Sequence, residues 1–272
     1  MHVSYLSIFF MFVSVVLSIG APLFFFLFLR KRYDAMLPML LGVAGFVVFA
    51  LVLESSIHRI VFSKFALMET PALYIVYGIF MAGIFEETAR FIAFKILKRK
   101  YSKQRTEDSK HLPMLAYDGV VTGLSYGIGH GGIESILLAG VPMIFAIIAS
   151  AIINTINIDF ITGKLHGEML TIISGQLNAL STTAPHMFLV SGIERLMAIS
   201  IQLSLSVIVF YSVFVTNQAW LFPLAIVLHA IVDIPAAAFQ AGVLKSVALV
   251  EGITFLLAIA LVIFVKFLHK KN

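Results

Sequence analysis

The run Leu6-Ser7-Ile8-Phe9-Phe10-Met11-Phe12-Val13-Ser14-Val15-Val16-Leu17-Ser18-Ile19-Gly20-Ala21-Pro22-Leu23-Phe24-Phe25-Phe26-Leu27-Phe28-Leu29 carries no charge, and Arg30-Lys31-Arg32 follows it directly. Roughly 20 apolar residues of α-helix cross a bilayer's hydrocarbon core, so this run reads as a membrane span. A cleaved signal peptide has its basic residues before a shorter apolar stretch. Here they come after, so an uncleaved first span is expected. The whole chain follows suit: of 272 residues 60% are hydrophobic and 12% charged, with a mean hydropathy of +1.02. A soluble domain carries about 25% charged residues. This chain cannot cover itself with polar groups, and a lipid bilayer is its expected partner. The 25 Phe suit lipid-facing surfaces.

Two function classes fall away at once. With no cysteine there are no disulfides, thiolate zinc sites or cysteine nucleophiles. The net charge of +5 sits at helix ends and in short loops, so it reads as membrane orientation and not as affinity for nucleic acid.

Further apolar segments lie at 35–53, 72–97, 115–138, 141–158, 187–215, 220–240 and 246–267. The expected fold is an all-α, polytopic transmembrane helix bundle of about eight hydrophobic segments, with seven or eight crossings. Lysine and arginine concentrate on the cytoplasmic side. Arg30–Arg32 and Lys98–Lys110 therefore belong there, which places the N-terminus outside. Lys266, Lys270 and Lys271 want the same side, which requires an odd number of crossings. Eight clean spans conflict with that. The conflict falls on residues 141–185, where the amphipathic stretch Leu165–Leu180 is an extra or interfacial element. No linker divides the chain, so residues 1–272 read as one integral membrane domain. No internal repeat stands out, which disfavours transporter folds built from duplicated halves.

Ionisable groups at membrane depth cost about 2.5–3.5 kcal/mol each on insertion scales unless paired or hydrated. Three segments nevertheless carry them centrally. The third reads Phe85-Glu86-Glu87-Thr88-Ala89-Arg90. Arg90 lies three and four residues from the two glutamates and can reach either. Adjacent glutamates point about 100° apart, so they cannot do the same job. A lone Glu–Arg pair is equally a packing device.

The fourth segment contains His130-Gly131-Gly132-Ile133-Glu134, with His130 and Glu134 on one face. Gly119, Gly123, Gly127 and Gly131 recur every four residues, a small-residue stripe along which another helix can come close. The seventh carries His229-Ala230-Ile231-Val232-Asp233, where the carboxylate can orient the imidazole. One such pair is readily a packing contact. Two His–carboxylate pairs beside a Glu-Glu pair point to function. Asp118, Glu194-Arg195, Glu251, Asn154 and Asn157 are weaker candidates. His58, His111, His166, His186 and His269 fall outside span centres and stay unassigned.

A hydrolase needs an activated water and a stabiliser for the developing oxyanion. Glu86 or Glu87 is a candidate general base, tuned by Arg90. His130, His229 and Glu87 form a candidate zinc set with an open position for water. The same residues also serve as a metal-free acid–base pair with an oxyanion donor. The zincin motif H-E-x-x-H is absent. Tyr117-Asp118 matches half of an aspartyl intramembrane protease signature, whose second half is missing.

The ordered set Glu86-Glu87-x-x-Arg90, His130-x-x-x-Glu134, His229-x-x-x-Asp233 resembles the CAAX protease, bacteriocin-processing (CPBP) and PrsW superfamily of membrane proteases. Within it the set is most similar to the bacterial YhfC-type intramembrane metalloproteases. The resemblance covers the third to seventh segments. It implies a cavity among the spans, a glutamate-activated water and cleavage of a membrane protein or membrane-associated peptide. By position Glu86 or Glu87 is the base and His130 its partner, while His229 polarises the carbonyl or binds metal, supported by Asp233. The CAAX branch commonly has Glu-Glu-x-x-x-Arg and an Asn after the last histidine. Here the arginine is one residue closer and Asp233 takes the Asn position, so prenylated substrates do not follow. A proton- or cation-coupled transporter and a catalytically inactive membrane scaffold are the competing readings. Convergence of the three motif helices on one point separates hydrolysis from a conducting path.

Overall fold

The structure, a computed structural model, describes residues 1–32, 35–65, 70–107, 119–156, 162–215 and 217–271. Asp118, Tyr117, His111 and Asn157, noted above, lie outside the described residues. Among the described residues eight helices follow one another: α1 (Tyr5–Lys31), α2 (Met36–Lys64), α3 (Pro71–Glu107), α4 (Val120–Thr155), α5 (Gly167–Thr182), α6 (Pro185–Phe214), α7 (Leu221–Gln240) and α8 (Val247–Lys271). Among the described residues there is no strand, and all but α5 are long and apolar enough to cross a membrane. The chain is an all-α polytopic transmembrane bundle.

Three boundaries differ from those read in the sequence. Helix α3 runs on past Leu97 to Glu107. The described parts of the segments 115–138 and 141–158 belong to one helix, α4, of 36 residues. Pro142 lacks the N–H that an α-helical ladder needs. The chain accommodates it by winding more widely just before, over Ile136–Gly140, where hydrogen bonds reach five residues along. At about 1.5 Å per residue α4 is ~54 Å long, well beyond a ~30 Å hydrocarbon core. Among the described residues the candidate spans thus number seven, an odd count. The amphipathic stretch after them is α5, a separate 16-residue helix with no buried residue.

The third correction concerns α2, which continues past Leu53 to Lys64. Apolarity ends at Glu54, but the helix does not. Ser55 and Ser56 satisfy their hydroxyls on the carbonyls of Ala50 and Val52 within the same helix. Residues Phe46–Glu54 of α2 are also wound with five-residue hydrogen bonds.

The helices fall into two compact units. One comprises Met1–Leu23 and Glu134–Leu196. Its core is Val3, Met11 and Ile153, with Ile8, Met143, Leu177 and Phe188 packed on them. Asn154 pins the start of the chain, its amide both donating to and accepting from the Val3 backbone at 2.8 Å.

The other comprises Phe24–Ile133 and Met197–Asn272. Its core runs along α6 from Ile201 to Val213 and takes in Phe94 and Leu97 of α3, Tyr126 of α4 and Leu221 and Ala225 of α7. The glycine stripe works as expected: a Cβ at Gly127 would lie 2.9 Å from Leu203 Cα, and one at Gly131 2.8 Å from Gln202 Cβ. Only glycine lets α4 meet α6 at that spacing. On the other side of α4, a Cβ at Gly129 would overlap the Met39 carbonyl of α2. Gly83 of α3 plays the same part against Ile226 O of α7, at 2.9 Å. These contacts draw α2, α3, α4, α6 and α7 together at backbone range.

Candidate functional site

Little more than one turn of α3 supplies Glu86, Glu87 and Arg90, all buried: 8%, 0% and 0% exposed. The guanidinium is a fork, and each tine is used. Nη1 donates to Glu87 Oε1 at 2.5 Å, and Nη2 to Glu86 Oε2 at 3.4 Å. Nη2 also donates to Gln202 Oε1, and Nε to Ser206 Oγ at 3.2 Å, both on α6. Ser206 in turn donates to the Gln202 carbonyl at 2.7 Å. One arginine thus joins two carboxylates of its own helix to a second helix, a geometry a lysine cannot reproduce.

The motif histidines reach these carboxylates from two further helices. His130 of α4 is fully buried, and its Nε2 lies 2.9 Å from Glu86 Oε2. The Phe46 ring meets its imidazole edge-on at 5.4 Å. His229 of α7 is bound through Nδ1 to Glu87 Oε1 at 2.6 Å. Its Nε2 faces Glu86 Oε2 at 3.9 Å and Asp233 Oδ2 at 3.4 Å. Gln202 Nε2 donates to the same Glu86 oxygen at 3.1 Å. One carboxylate oxygen is therefore the meeting point of two imidazoles, a carboxamide and a guanidinium from four helices.

The adjacent glutamates have separate tasks, as the 100° between them requires. Glu87 holds Arg90 and His229, while Glu86 faces the common centre. Of the sequence-selected residues, Glu86, Glu87, Arg90, His130, His229 and Asp233 come together in this one network. Glu134 lies one turn beyond His130 in the same helix. Its carboxylate pairs with Arg195 at 3.5 Å, and Arg195 also binds its neighbour Glu194. Adjacent side chains diverge on a helix, but the arginine stem is long enough to fold back.

Three participants escaped sequence reading. Gln202 and Ser206 had a signal, being polar at i, i+4 in an apolar segment. Glu54, 8% exposed on α2, lies within electrostatic reach of Glu86, His229 and Asp233. It sits at the edge of an apolar run, where a charge reads as interfacial. His58, left unassigned above, pairs with it at 3.1 Å.

The donor set fits a borderline divalent cation. The network holds two buried carboxylates, Glu86 and Glu87, and the more open Asp233 against one guanidinium, and the excess negative charge is balanced by a protonated imidazole or by a bound cation. Imidazole and carboxylate are the ligands zinc takes where cysteine is absent, and tetrahedral ligand atoms about 2.0–2.1 Å from zinc lie about 3.3–3.4 Å apart. The separations of His130 Nε2 and His229 Nε2 from Glu86 Oε2, 2.9 and 3.9 Å, bracket that spacing. The two nitrogens of an imidazole face opposite ways. Glu87, on His229 Nδ1, is therefore placed to orient that ring.

A family model described as YhfC intramembrane metalloprotease matches residues 13–254. A Bacillus subtilis (strain 168) protein described as "Uncharacterized membrane protein YhfC" is 30% identical over 264 residues, covering 94% of each chain. No solved structure is significantly similar. The family match takes in every motif helix from α2 to α7, and the chain belongs to the YhfC intramembrane metalloprotease family.

Proposed function

We propose that the chain is an intramembrane protease that hydrolyses a peptide bond in a membrane-associated protein or peptide. The observation that carries this reading is the convergence of His130 Nε2 and His229 Nε2 on Glu86 Oε2. A transporter needs its ionisable groups strung along a path, whereas these are gathered at one point.

His130, His229 and Glu86 would hold a zinc ion. When bound, zinc makes water a nucleophile near neutral pH and polarises a carbonyl. Glu87 fixes the His229 ring through Nδ1 and leaves Nε2 turned to the centre. Arg90 balances the paired carboxylates and, with Gln202, keeps Glu86 from swinging away. Asp233 is the most open carboxylate of the network, with 36% of its side chain exposed. Its Oδ2, beside His229 Nε2, is the atom placed to take a proton from the attacking water and return it to the leaving nitrogen. The short Glu86–His130 contact favours a second reading, in which Glu86 Oε2 itself takes that proton and His130 assists. The resemblance and the family name support hydrolysis under both.

Metal content of the purified protein tests the assignment, with wild type measured beside His130→Ala and His229→Ala. About one zinc per chain in wild type, lost in both variants, is the expected result for a three-ligand site. Zinc-free wild type, purified without chelators, that still cleaves in a Glu86-dependent manner would establish the second reading instead.

Seven crossings agree with the lysine and arginine counts. We infer a multi-pass protein of the cell membrane, with the N-terminus outside and Lys266–Lys271 in the cytoplasm. Residues 1–272 form one integral membrane domain under this proposal.

A further inference from the structure

Helix α3 has two opposite faces. Glu86, Arg90, Phe94 and Leu97 are buried on the inner one, and Tyr101 packs on the same core. On the outer face Ile84, Ile92 and Ile96 are exposed, and so are Lys95, Arg99 and Lys103. At 100° per residue these six fall within a sector of about 120°, directly opposite the inner five. The three cations stand at i, i+4 and i+8, a ridge along ~12 Å of helix. An apolar stripe thus turns into a basic one on a single exposed face. Residues 88–103 contain no acid, so the stretch is positive throughout.

Depth places the ridge at the edge of the hydrocarbon. Lys95 and Arg99 lie ~12 and ~18 Å along the helix from Glu87. Half of a hydrocarbon core is ~15 Å, and Glu87 belongs to the centre read at mid-membrane depth. Lys98 makes the contrast. It projects off the ridge toward the bundle, where its Nζ donates to the Val213 carbonyl at 2.5 Å and lies 5.9 Å from the Phe214 ring centre. That lysine ties α3 to the end of α6. The Lys95 ammonium lies over the Phe91 ring at 5.1 Å, its stem laid on apolar surface and its charge at the boundary.

We propose that Lys95 and Arg99, extended by Lys103, bind the phosphate of an anionic phospholipid whose acyl chains lie along Ile84, Ile92 and Ile96. The Arg99 fork suits two phosphate oxygens, and Lys95 adds a point charge one turn away. A headgroup with a net negative charge satisfies the ridge, whereas a choline headgroup brings its own cation against it. A second copy of the chain meeting this face would likewise set cations against cations. This end of α3 is the one inferred to face the cytoplasm, where anionic lipid attracts basic segments beside a span. Because α3 also carries Glu86, Glu87 and Arg90, a headgroup held at Arg99 fixes the depth of those residues in the bilayer. The site stands apart from the hydrolytic reading.

Native mass spectrometry of the full chain in detergent tests the site, with phosphatidylglycerol and phosphatidylcholine of the same acyl chains titrated separately. Wild type should keep phosphatidylglycerol bound at concentrations where phosphatidylcholine leaves no adduct. Lys95→Gln/Arg99→Gln should weaken phosphatidylglycerol binding about 25-fold, about fivefold for each cation. Lys270→Gln/Lys271→Gln removes the same charge from the end of α8 and should bind as wild type does. If the first double variant does not fold, Arg99→Gln alone should show the fivefold loss. Equal affinity for the two lipids overturns the proposal, and so do equal losses in the two double variants, which would make binding a matter of net charge. Wild-type affinity in Lys95→Gln/Arg99→Gln or in Arg99→Gln overturns it as well. Displacement of the lipid by equimolar glycerol phosphate would make free phosphate the ligand and overturn the lipid assignment.

Discussion

His229 Nδ1 lies 2.6 Å from Glu87 Oε1, while the opposite nitrogen of the ring faces Glu86 Oε2 at 3.9 Å. Two glutamates adjacent in sequence therefore flank one imidazole, one gripping it and the other meeting it across the centre.

The amide variants of the two glutamates should separate by this geometry. Glu86→Gln removes a ligand and should abolish zinc binding. Glu87→Gln loosens the hold on His229 and should weaken zinc binding about 10–100-fold, the usual cost of losing a carboxylate behind a ligating histidine. Competition with a chelating dye reads both. Equal losses in the two variants would refute the division of labour.

Arg90 should be the costliest residue of the site to remove. It is fully buried against Glu87 and Glu86, and deleting one member of such a network leaves uncompensated charge, worth about 3–5 kcal/mol. Arg90→Met should lower the unfolding midpoint in detergent sharply. Arg90→Lys should recover little, because a point charge cannot serve Glu87, Glu86, Gln202 and Ser206 together. A midpoint for Arg90→Lys equal to wild type would contradict the fork's role.

Glycine substitutions offer a graded test of helix approach. Gly129→Ala drives a methyl group into the Met39 carbonyl and should destabilise the fold or force α2 away from α4. Gly252→Ala on α8 meets nothing within 4 Å. It should be neutral or stabilise by up to ~1 kcal/mol, the difference in helix propensity. Thermal unfolding of both in the same detergent decides the matter, and similar midpoints would count against backbone-range packing at Gly129.

Topology can be read without first removing native thiols, since the chain has no cysteine. A membrane-impermeant maleimide added to intact cells should label Ser4→Cys and leave Lys270→Cys unmodified until the membrane is opened. Labelling of both from outside would mean an even number of crossings.

Much of this was legible in the sequence because ionisable residues at membrane depth are expensive and therefore conspicuous. Glu86, Glu87, Arg90, His130 and His229 stand out against apolar neighbours, and the structure gathers them. Glu54 was not legible, because apolarity reports how far lipid extends and not where a helix stops. A carboxylate one residue past Leu53 looks interfacial until its helix is seen to continue. The continuity of α4 was hidden by Pro142, which marks a break in most helices. The wide turn before it has no distinctive residue pattern to announce it. Gln202 and Ser206 are uncharged, and a neutral side chain in an apolar segment is too common to single out.

The glycine contacts of α4 carry a consequence for how a substrate arrives. Gly129 holds α4 to α2, and Gly127 and Gly131 hold it to α6, all at backbone range. His130 thus stands in a wall with no side-chain padding that could be compressed to make a doorway. Asp233, on α7, is the network residue with the most open side chain. On the proposed protease reading, α7 is the side over which a peptide would come in. Substitutions along that helix would retune which peptides are admitted, while the wall that carries His130 stays the same for all of them.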